Sequence, residues 1–301
     1  MTTMQDTVDE TRRLLHGGMQ DLLDVLSSSI DSDAATINLT DGIKGVGRGS
    51  VLEIGLEQMY VRSVSNLAVT VIRGHNGTTA TDHAADSLVV INPSYPTDNI
   101  FRACVDEIGS LRGSGLYQFN TVEFTLNRRD QVYPLDTTSL TGEPLFLHSA
   151  MYQGSGTYSS WWPISMELVK DLDSTEFPST YGIKFKDHIR HLNMTATVTV
   201  RATVAFTLGL PTAIDDTLSE AENGIGDHIS SIIPVGAAWR MILGKEARRV
   251  NPDHNHGSRR AEEIQPGSAA FLGRAFLSMK EDLVADAIEH QIKKYSYRTE
   301  M

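Results

Sequence analysis

The sequence predicts an α+β protein in which helical segments bracket two different β modules. Three observations carry this. Apolar residues recur at helical spacing near both ends of the chain and once in its middle. Short β-branched runs, separated by Gly, Asn, Asp or Ser, fill residues 35–92. Strict two-residue alternation marks much of 117–208, most clearly "MTATVTVRATVAFTL". There Met194, Ala196, Val198, Val200, Ala202, Val204 and Phe206 share one face, and Thr195, Thr197, Thr199, Arg201 and Thr203 share the other. The resulting order is an N-terminal helix (1–30), a small β-barrel-like unit (31–95), and a central helix with its linker (96–115). A larger antiparallel β-sandwich-like domain (116–210) and a helical C-terminal region (211–301) follow.

Taken in order, the first helix is expected over Asp6–Ser28. Val8, Leu15, Met19, Leu22 and Leu26 form its stripe, and Gly17-Gly18 interrupts it at about 1 kcal/mol per glycine. "ATINL", "VLEIG", "QMYVRSV", "AVTVIRG" and "SLVVIN" are the strands of the small unit. Between the last two, Asn76-Gly77 signals a hairpin turn. "GVGRGS" (45–50) lacks the Lys-Ser/Thr ending of a phosphate-binding loop and reads as a turn. In "NPSYPTDNIFRACVDEIGSL", Asp98 is a candidate cap, and Ile100, Phe101, Cys104, Val105, Ile108 and Leu111 make an apolar helical face. Beyond Pro211, "DDTLSEAENGIGDHISSIIPVGAAWRMILGKEARRVN" reads as one or two helices divided by Pro234. "AFLGRAFLSMKEDLVADAIEHQIKKYSY" reads as a long amphipathic helix, with Leu272, Phe276, Met279, Leu283, Ala287 and Tyr295 near one stripe.

Composition narrows the function. The chain has 301 residues, 40% hydrophobic and 21% charged, enough to bury real cores. A single cysteine, Cys104, excludes an intramolecular disulfide and a cysteine-rich metal site. No apolar run is long enough for a membrane span and the N-terminus is not secretory in pattern, so a soluble protein made in a cytoplasm is expected. A net charge of −12 argues against gripping nucleic acid, but suits a surface that DNA passes without sticking.

Chemistry-bearing constellations are sparse. His188 and His191 lack the acidic helper of a zinc protease. Asp253, His254 and His256 offer three metal-type side chains within a polar loop, where solvated histidines are the commoner case. No Gly-x-Ser-x-Gly elbow occurs. His75, Asp82 and His83 sit in "VIRGHNGTTATDHAADSLVVIN", where the turn reading outweighs a catalytic one. No catalytic, cofactor-binding or metal-binding residue is therefore expected. The residues singled out are contact candidates: Arg259, Arg260, Glu262 and Glu263 in the charged "SRRAEE" cluster, and Trp239, Phe276 and Leu283 on the C-terminal helices. Trp161 and Trp162 suggest a less favoured alternative, a carbohydrate-binding β-sandwich, with one ring inward and one outward.

The same "VIRGHNGTTATDHAADSLVVIN" stretch, with Arg-Gly-x-x-Gly-Thr-Thr followed by His-Ala, resembles a pattern of virion proteins of tailed bacteriophages. "LEIGLEQMYV" before it and "NPSYPTDNIFRACVDEIGSL" after it resemble neck-protein segments in the same order. "IPVGAAWRMILGKEARR" and "SRRAEEIQPGS" resemble the C-terminal part of such proteins from siphophages of actinobacterial hosts. The resemblance implies a head-to-tail connector, an adaptor that docks under the portal protein. It implies a homo-oligomeric ring, commonly a dodecamer, with DNA passing through it unbound and a stopper or tail protein below. Its station would be the virion neck. The larger β module leaves a stopper, tail terminator or baseplate component as the alternative.

Overall fold

The computed structural model describes residues 2–16, 21–41, 44–65, 68–126, 132–135, 142–153, 160–173, 175–186, 198–249 and 268–295. The chain opens with β1 (Thr2–Thr3) and α1 (Met4–His16). Six strands follow: β2 (Leu22–Val25), β3 (Thr36–Asn38), β4 (Val51–Ile54), β5 (Glu57–Ser65), β6 (Ala68–Ile72) and β7 (Leu88–Ile91). Helix α2 (Thr97–Leu111) leads to β8 (Gln118–Thr125), β9 (Val132–Pro134), β10 (Pro144–Gln153), β11 (Trp162–Pro163), β12 (Met166–Val169), β13 (Gly182–Phe185) and β14 (Thr199–Phe206). The pair β15 (Thr217–Leu218) precedes α3 (Asp227–Ser230), α4 (Ile232–Arg249) and α5 (Ser268–Lys294). The protein is thus mixed α+β with several antiparallel sheets. Among the described residues no helix is long and apolar enough to cross a membrane.

Two compact units are built from interleaved segments. One comprises Gln5–Asp106 and Ile233–Lys280; the other comprises Met1–Met4, Glu107–Ile232 and Glu281–Met301.

In the first unit, six antiparallel strands lie in the order β2-β7-β4-β5-β6-β3. A register shift between Val61 and Ser63 on β5 adds curl, as bulges do. The sheet curls far enough that its two edge strands touch. Leu26 bridges Leu39, and the Ser27 and Thr40 N–H groups donate to Asn38 and Val25 carbonyls at 3.0 Å. Inside lie Leu26, Ile37, Leu39, Leu52, Met59, Val61, Val69 and Val89, each 0–1% exposed. Joined edges leave fewer unpaired backbone groups than a flat sheet would.

Helix α1 stops at His16, shorter than the expected Asp6–Ser28. Leu22 and Leu26 belong to β2 and its bridge rather than to a helical stripe. A glycine pair is a poor helix interior, and the sheet buries Leu26 completely while Leu22 stays 48% exposed on the edge strand. Asp6 in the first turn and Arg13 and His16 in the last match the helix dipole. The buried Val8 and Thr11 face inward, and Thr11 Oγ1 lies 3.6 Å from the buried Cys104 sulfur.

In the second unit, β11-β10-β14-β8 form one sheet and β12-β13-β9 another. Val198, Val200, Ala202, Val204 and Phe206 are all at most 4% exposed and share a core with Tyr133, Leu135, Met166 and Ile183 from the smaller sheet. The alternation read from sequence thus sets the buried face of β14; its expected start at Met194 lies outside the described residues. The outer face carries the Arg201–Glu123 ion pair at 2.6 Å.

The helix expected from Asp215 onward begins only at Asp227. Two polar residues hold the intervening chain in turns. Asp216 accepts from the Thr212 and Ala213 N–H groups at 2.6 and 2.9 Å, and Asn223 Oδ1 accepts from Ser219 N–H at 3.0 Å. Asp and Asn compete with helix for backbone donors in this way. Pro234 does not divide a helix. It is the third residue of α4, inside the first turn, where a missing N–H is harmless. Gly224 closes the turn with φ +76°, and a Cβ there would lie 2.5 Å from Gln118 Cβ. Gly224→Ala is expected to lower stability by about 2 kcal/mol or more, combining left-handed strain with a steric clash. A urea midpoint that does not move would show that this turn gives way freely.

Candidate functional site

The segment 73–83 is where the sequence concentrates its unusual residues, and the structure shows how they are arranged. Strands β6 and β7 do not pair: β6 lies between β5 and β3, and β7 between β2 and β4. The Asn76-Gly77 hairpin expected from the sequence is therefore a crossover connection. Its glycine-rich start serves a 3-10 turn (His75–Gly77) in which Gly74, Asn76 and Gly77 take φ of 59°, 55° and 79°.

Glu57, the first residue of β5, anchors this connection. Its side chain is fully buried. Arg73 Nε and Nη2 donate to its two oxygens at 2.7 and 2.8 Å. His83 Nε2 lies 2.8 Å from Oε2, and the Thr81 and Gly74 N–H groups donate at 3.1 and 3.2 Å. Arg73 also donates to the carbonyls of Asp31 and Thr81, both at 2.6 Å, and to that of Ala34. Burial pushes the Glu57 carboxyl up, but Arg73, His83 and the two N–H groups outweigh it and hold its pKa below the ordinary glutamate value. Bidentate pairing with further donors on both oxygens is the geometry that compensates a buried charge. The carboxylate is engaged on every side, so His83 is a structural ligand of Glu57 rather than a base facing substrate. His75 rests beside the Tyr60 ring, with centroids 5.3 Å apart.

A second buried carboxylate lies four residues earlier. Glu53 on β4 accepts from the Thr97 N–H at 2.8 Å and from the Thr97 hydroxyl. Arg12 on α1 bonds the same hydroxyl and approaches Glu53 at 3.9 Å. Glu53 thus caps α2, the role expected of Asp98; Asp98 pairs instead with Arg102 at 2.9 Å. Burial raises the Glu53 pKa, against the opposing bonds of Thr97 and the charge of Arg12.

The other unit holds an open cleft of about 190 Å³ lined by Glu220, Asp227, His228, His290, Gln291 and Lys294. The two imidazoles lie 3.8 Å apart, centroid to centroid. Lys294 donates to both Glu220 oxygens at 2.6 and 2.7 Å, which lowers the Glu220 pKa and raises that of Lys294. His228 and His290 are far apart in sequence, and no local pattern marked them. Among the described residues, no group of three His, Cys, Asp or Glu side chains is placed to hold a metal.

The contact candidates divide in two. Arg259, Arg260, Glu262 and Glu263 lie outside the described residues, as do His188, His191, Asp253, His254 and His256. Trp239, Phe276 and Leu283 are half-buried. Lys280 and Arg240 lie 5.4 and 5.9 Å from the Trp239 ring centre. The apolar stripe expected on α5 is only partly inward. Gly273 and Ala287 are the buried positions, with Phe276 and Leu283 beside them, whereas Leu272 and Met279 are 46% and 49% exposed. Small residues let the helix sit close along one line, which leaves the larger pair on its outer side. Of the tryptophans, Trp161 lies under the Arg201 guanidinium at 4.4 Å and Trp162 is exposed on β11. No family model matches the chain, and no curated protein matches it.

Glu57→Gln is expected to destabilise the protein by about 3–5 kcal/mol, because Arg73 would keep its buried charge and lose its counter-charge. The acid dependence follows from the same group. With a folded-state pKa below the unfolded one, its contribution is complete above about pH 4.5 and is lost as pH falls through the folded value. Stability of the Glu57→Gln variant should therefore vary less with pH across that acid range, as read by denaturant midpoints at each pH.

Proposed function

We propose that this chain is a structural virion protein, a ring-forming head-to-tail connector that joins portal to tail around a DNA channel. The observation that carries the reading is the segment from Arg73 to His83. Its sequence resembles the virion-protein pattern, and Arg73, Gly74, Thr81 and His83 all converge on one buried carboxylate. Such a segment is a scaffold element: its polar residues hold a curled sheet in shape. The acidic net charge supports the same reading, since copies at −12 each set a field that repels passing duplex. The exposed apolar side chains on α5 suit a protein that works through surfaces shared with neighbours. On this reading the partners are further copies, the portal protein and a downstream stopper or tail protein, and the place of work is the virion neck. The other station open to the same modules is a stopper, terminator or baseplate ring of lower symmetry.

Native mass measurement and electron microscopy of the purified chain, alone and mixed with the portal protein of the same phage, test this. Closed rings of defined copy number, seated on the portal in the mixture, are expected. Mature particles that lack the chain would overturn the reading.

A further inference from the structure

The sequence holds the dipeptide Asn-Gly twice, at Asn76-Gly77 and at Asn223-Gly224. An asparagine before glycine can lose its side-chain amide without an enzyme. The glycine nitrogen attacks the asparagine Cγ, and no β-carbon on the glycine obstructs the approach. In an unfolded chain the two sites are chemically alike. The fold sets them apart.

Asn223 is 7% exposed. Its Oδ1 accepts from the Ser219 and Ile225 N–H groups at 3.0 and 3.3 Å, and its Nδ2 donates to the Thr217 carbonyl at 2.9 Å. Gly224 is buried against Gln118. Freeing this amide means dismantling the turn that it builds.

Asn76 and Gly77, in the other unit, are both exposed. Among the described residues one hydrogen bond holds the Asn76 side chain, from Nδ2 to Gln58 Oε1 at 2.8 Å. At ψ 24° the Gly77 nitrogen lies nearly opposite the Asn76 Cβ across the Cα–C bond, so the turn must unwind before that nitrogen can reach Cγ. Gly74 and Thr81, on either side, are pinned through their N–H groups to Glu57. Between the pins the turn is closed by Thr78, whose N–H and hydroxyl donate to the His75 carbonyl at 3.2 and 2.9 Å. These few bonds at the surface can open while the buried Glu57 network stays intact, which is a local opening of low cost.

We infer that Asn76 is a site of spontaneous modification, converted to aspartate and isoaspartate in the folded protein by way of this local opening, while Asn223 is protected by its turn. The bond from Gly77 N to Asn76 Cγ forms, the Cγ–Nδ2 bond breaks, and Nδ2 leaves as ammonia with the Gly77 amide proton. Water then opens the five-membered imide, and nothing is oxidised or reduced. Cleavage at Cγ restores the backbone and leaves aspartate. Cleavage at the Asn76 backbone carbonyl leaves isoaspartate, with the chain running through the side chain. Neither product can donate to Gln58 Oε1 as the amide does, and each adds a negative charge to the segment that anchors on Glu57. The protein therefore ages at the turn beside its buried anchor.

The purified chain, incubated at mildly alkaline pH in heavy-oxygen water, tests this, either folded or in urea concentrated enough to unfold it. Peptides carrying residues 76 and 223 are then followed by mass. The heavy oxygen marks product formed during the incubation, and chromatography separates the isoaspartyl form. In the folded protein Asn76 is expected to convert about tenfold or more faster than Asn223, because its opening is local. In urea the two sites should convert at comparable rates. Equal conversion of the two sites in the folded protein would overturn the inference. So would an Asn76 that stays intact when folded while the unfolded chain reacts. A preference for Asn76 that is just as large in urea would assign the difference to local sequence instead of the fold, and would overturn it too.

Discussion

The Glu57 carboxylate is the constraint on which the first unit depends. A glutamate with no exposed side-chain surface is tenable only with its donors in place, and here they come from the chain that leaves β6. Arg73 passes the constraint on. Through the Asp31 and Ala34 carbonyls it also fixes the chain between β2 and β3, and the Ile30–His83 bridge ties the same two connections. Two loops at one end of the curled sheet are thereby fastened to a single anionic centre. Each donor is satisfied only when the others are in position, so the arrangement forms cooperatively or not at all.

Glu53 and Glu57 show how position sets the behaviour of one residue type. They sit on opposite strands of the hairpin formed by β4 and β5, where Ile54 faces Glu57 and Glu53 faces Gln58. Glu57 meets a full guanidinium fork, and its ionised form is favoured. Glu53 meets a hydroxyl, one N–H and an arginine at 3.9 Å, and burial prevails. The first organises a loop; the second holds the start of α2 and draws in Arg12 of α1. The hairpin thus carries both the means of closing its own sheet and the means of attaching two helices to it.

How far the sequence discloses this differs with the range of the interaction. The α+β class, the strands of both modules and the buried face of β14 were legible because alternation and β-branching are local signals. The shift from Val198 to Phe206 between core and surface needs no partner to be known. What failed was every reading that depended on a distant competitor. Asn76-Gly77 signals a tight turn and makes one, yet the strands on either side pair elsewhere because Glu57 draws the chain across. Asp98 suits a cap, yet a glutamate 45 positions upstream takes the role. Leu22 and Leu26 fit a helical stripe, yet both join the edge of a sheet, where Leu26 is buried and Leu22 stays exposed. The cleft histidines, His228 and His290, carry no local mark at all. Among the contact candidates, Phe276 and Leu283 follow from helix periodicity and Trp239 from a helical segment rich in small residues. The structure places them half-buried and turns their neighbours Leu272 and Met279 outward.

One small contact has a kinetic meaning. The Gln291 side-chain amide copies a β-strand: its Nε2 donates to the Tyr117 carbonyl at 2.8 Å and its Oε1 accepts the Tyr117 N–H at 3.2 Å. The two residues are 174 positions apart. Tyr295, stacked on Phe119 with centroids 4.1 Å apart, adds a second link of the same reach. Long-range closures of this kind slow folding, because the chain entropy is lost before the contact forms. During synthesis the Tyr117 backbone and the Phe119 ring wait for these partners until the last turns of α5 have left the ribosome. The start of β8 is therefore fixed late, by residues far along the chain.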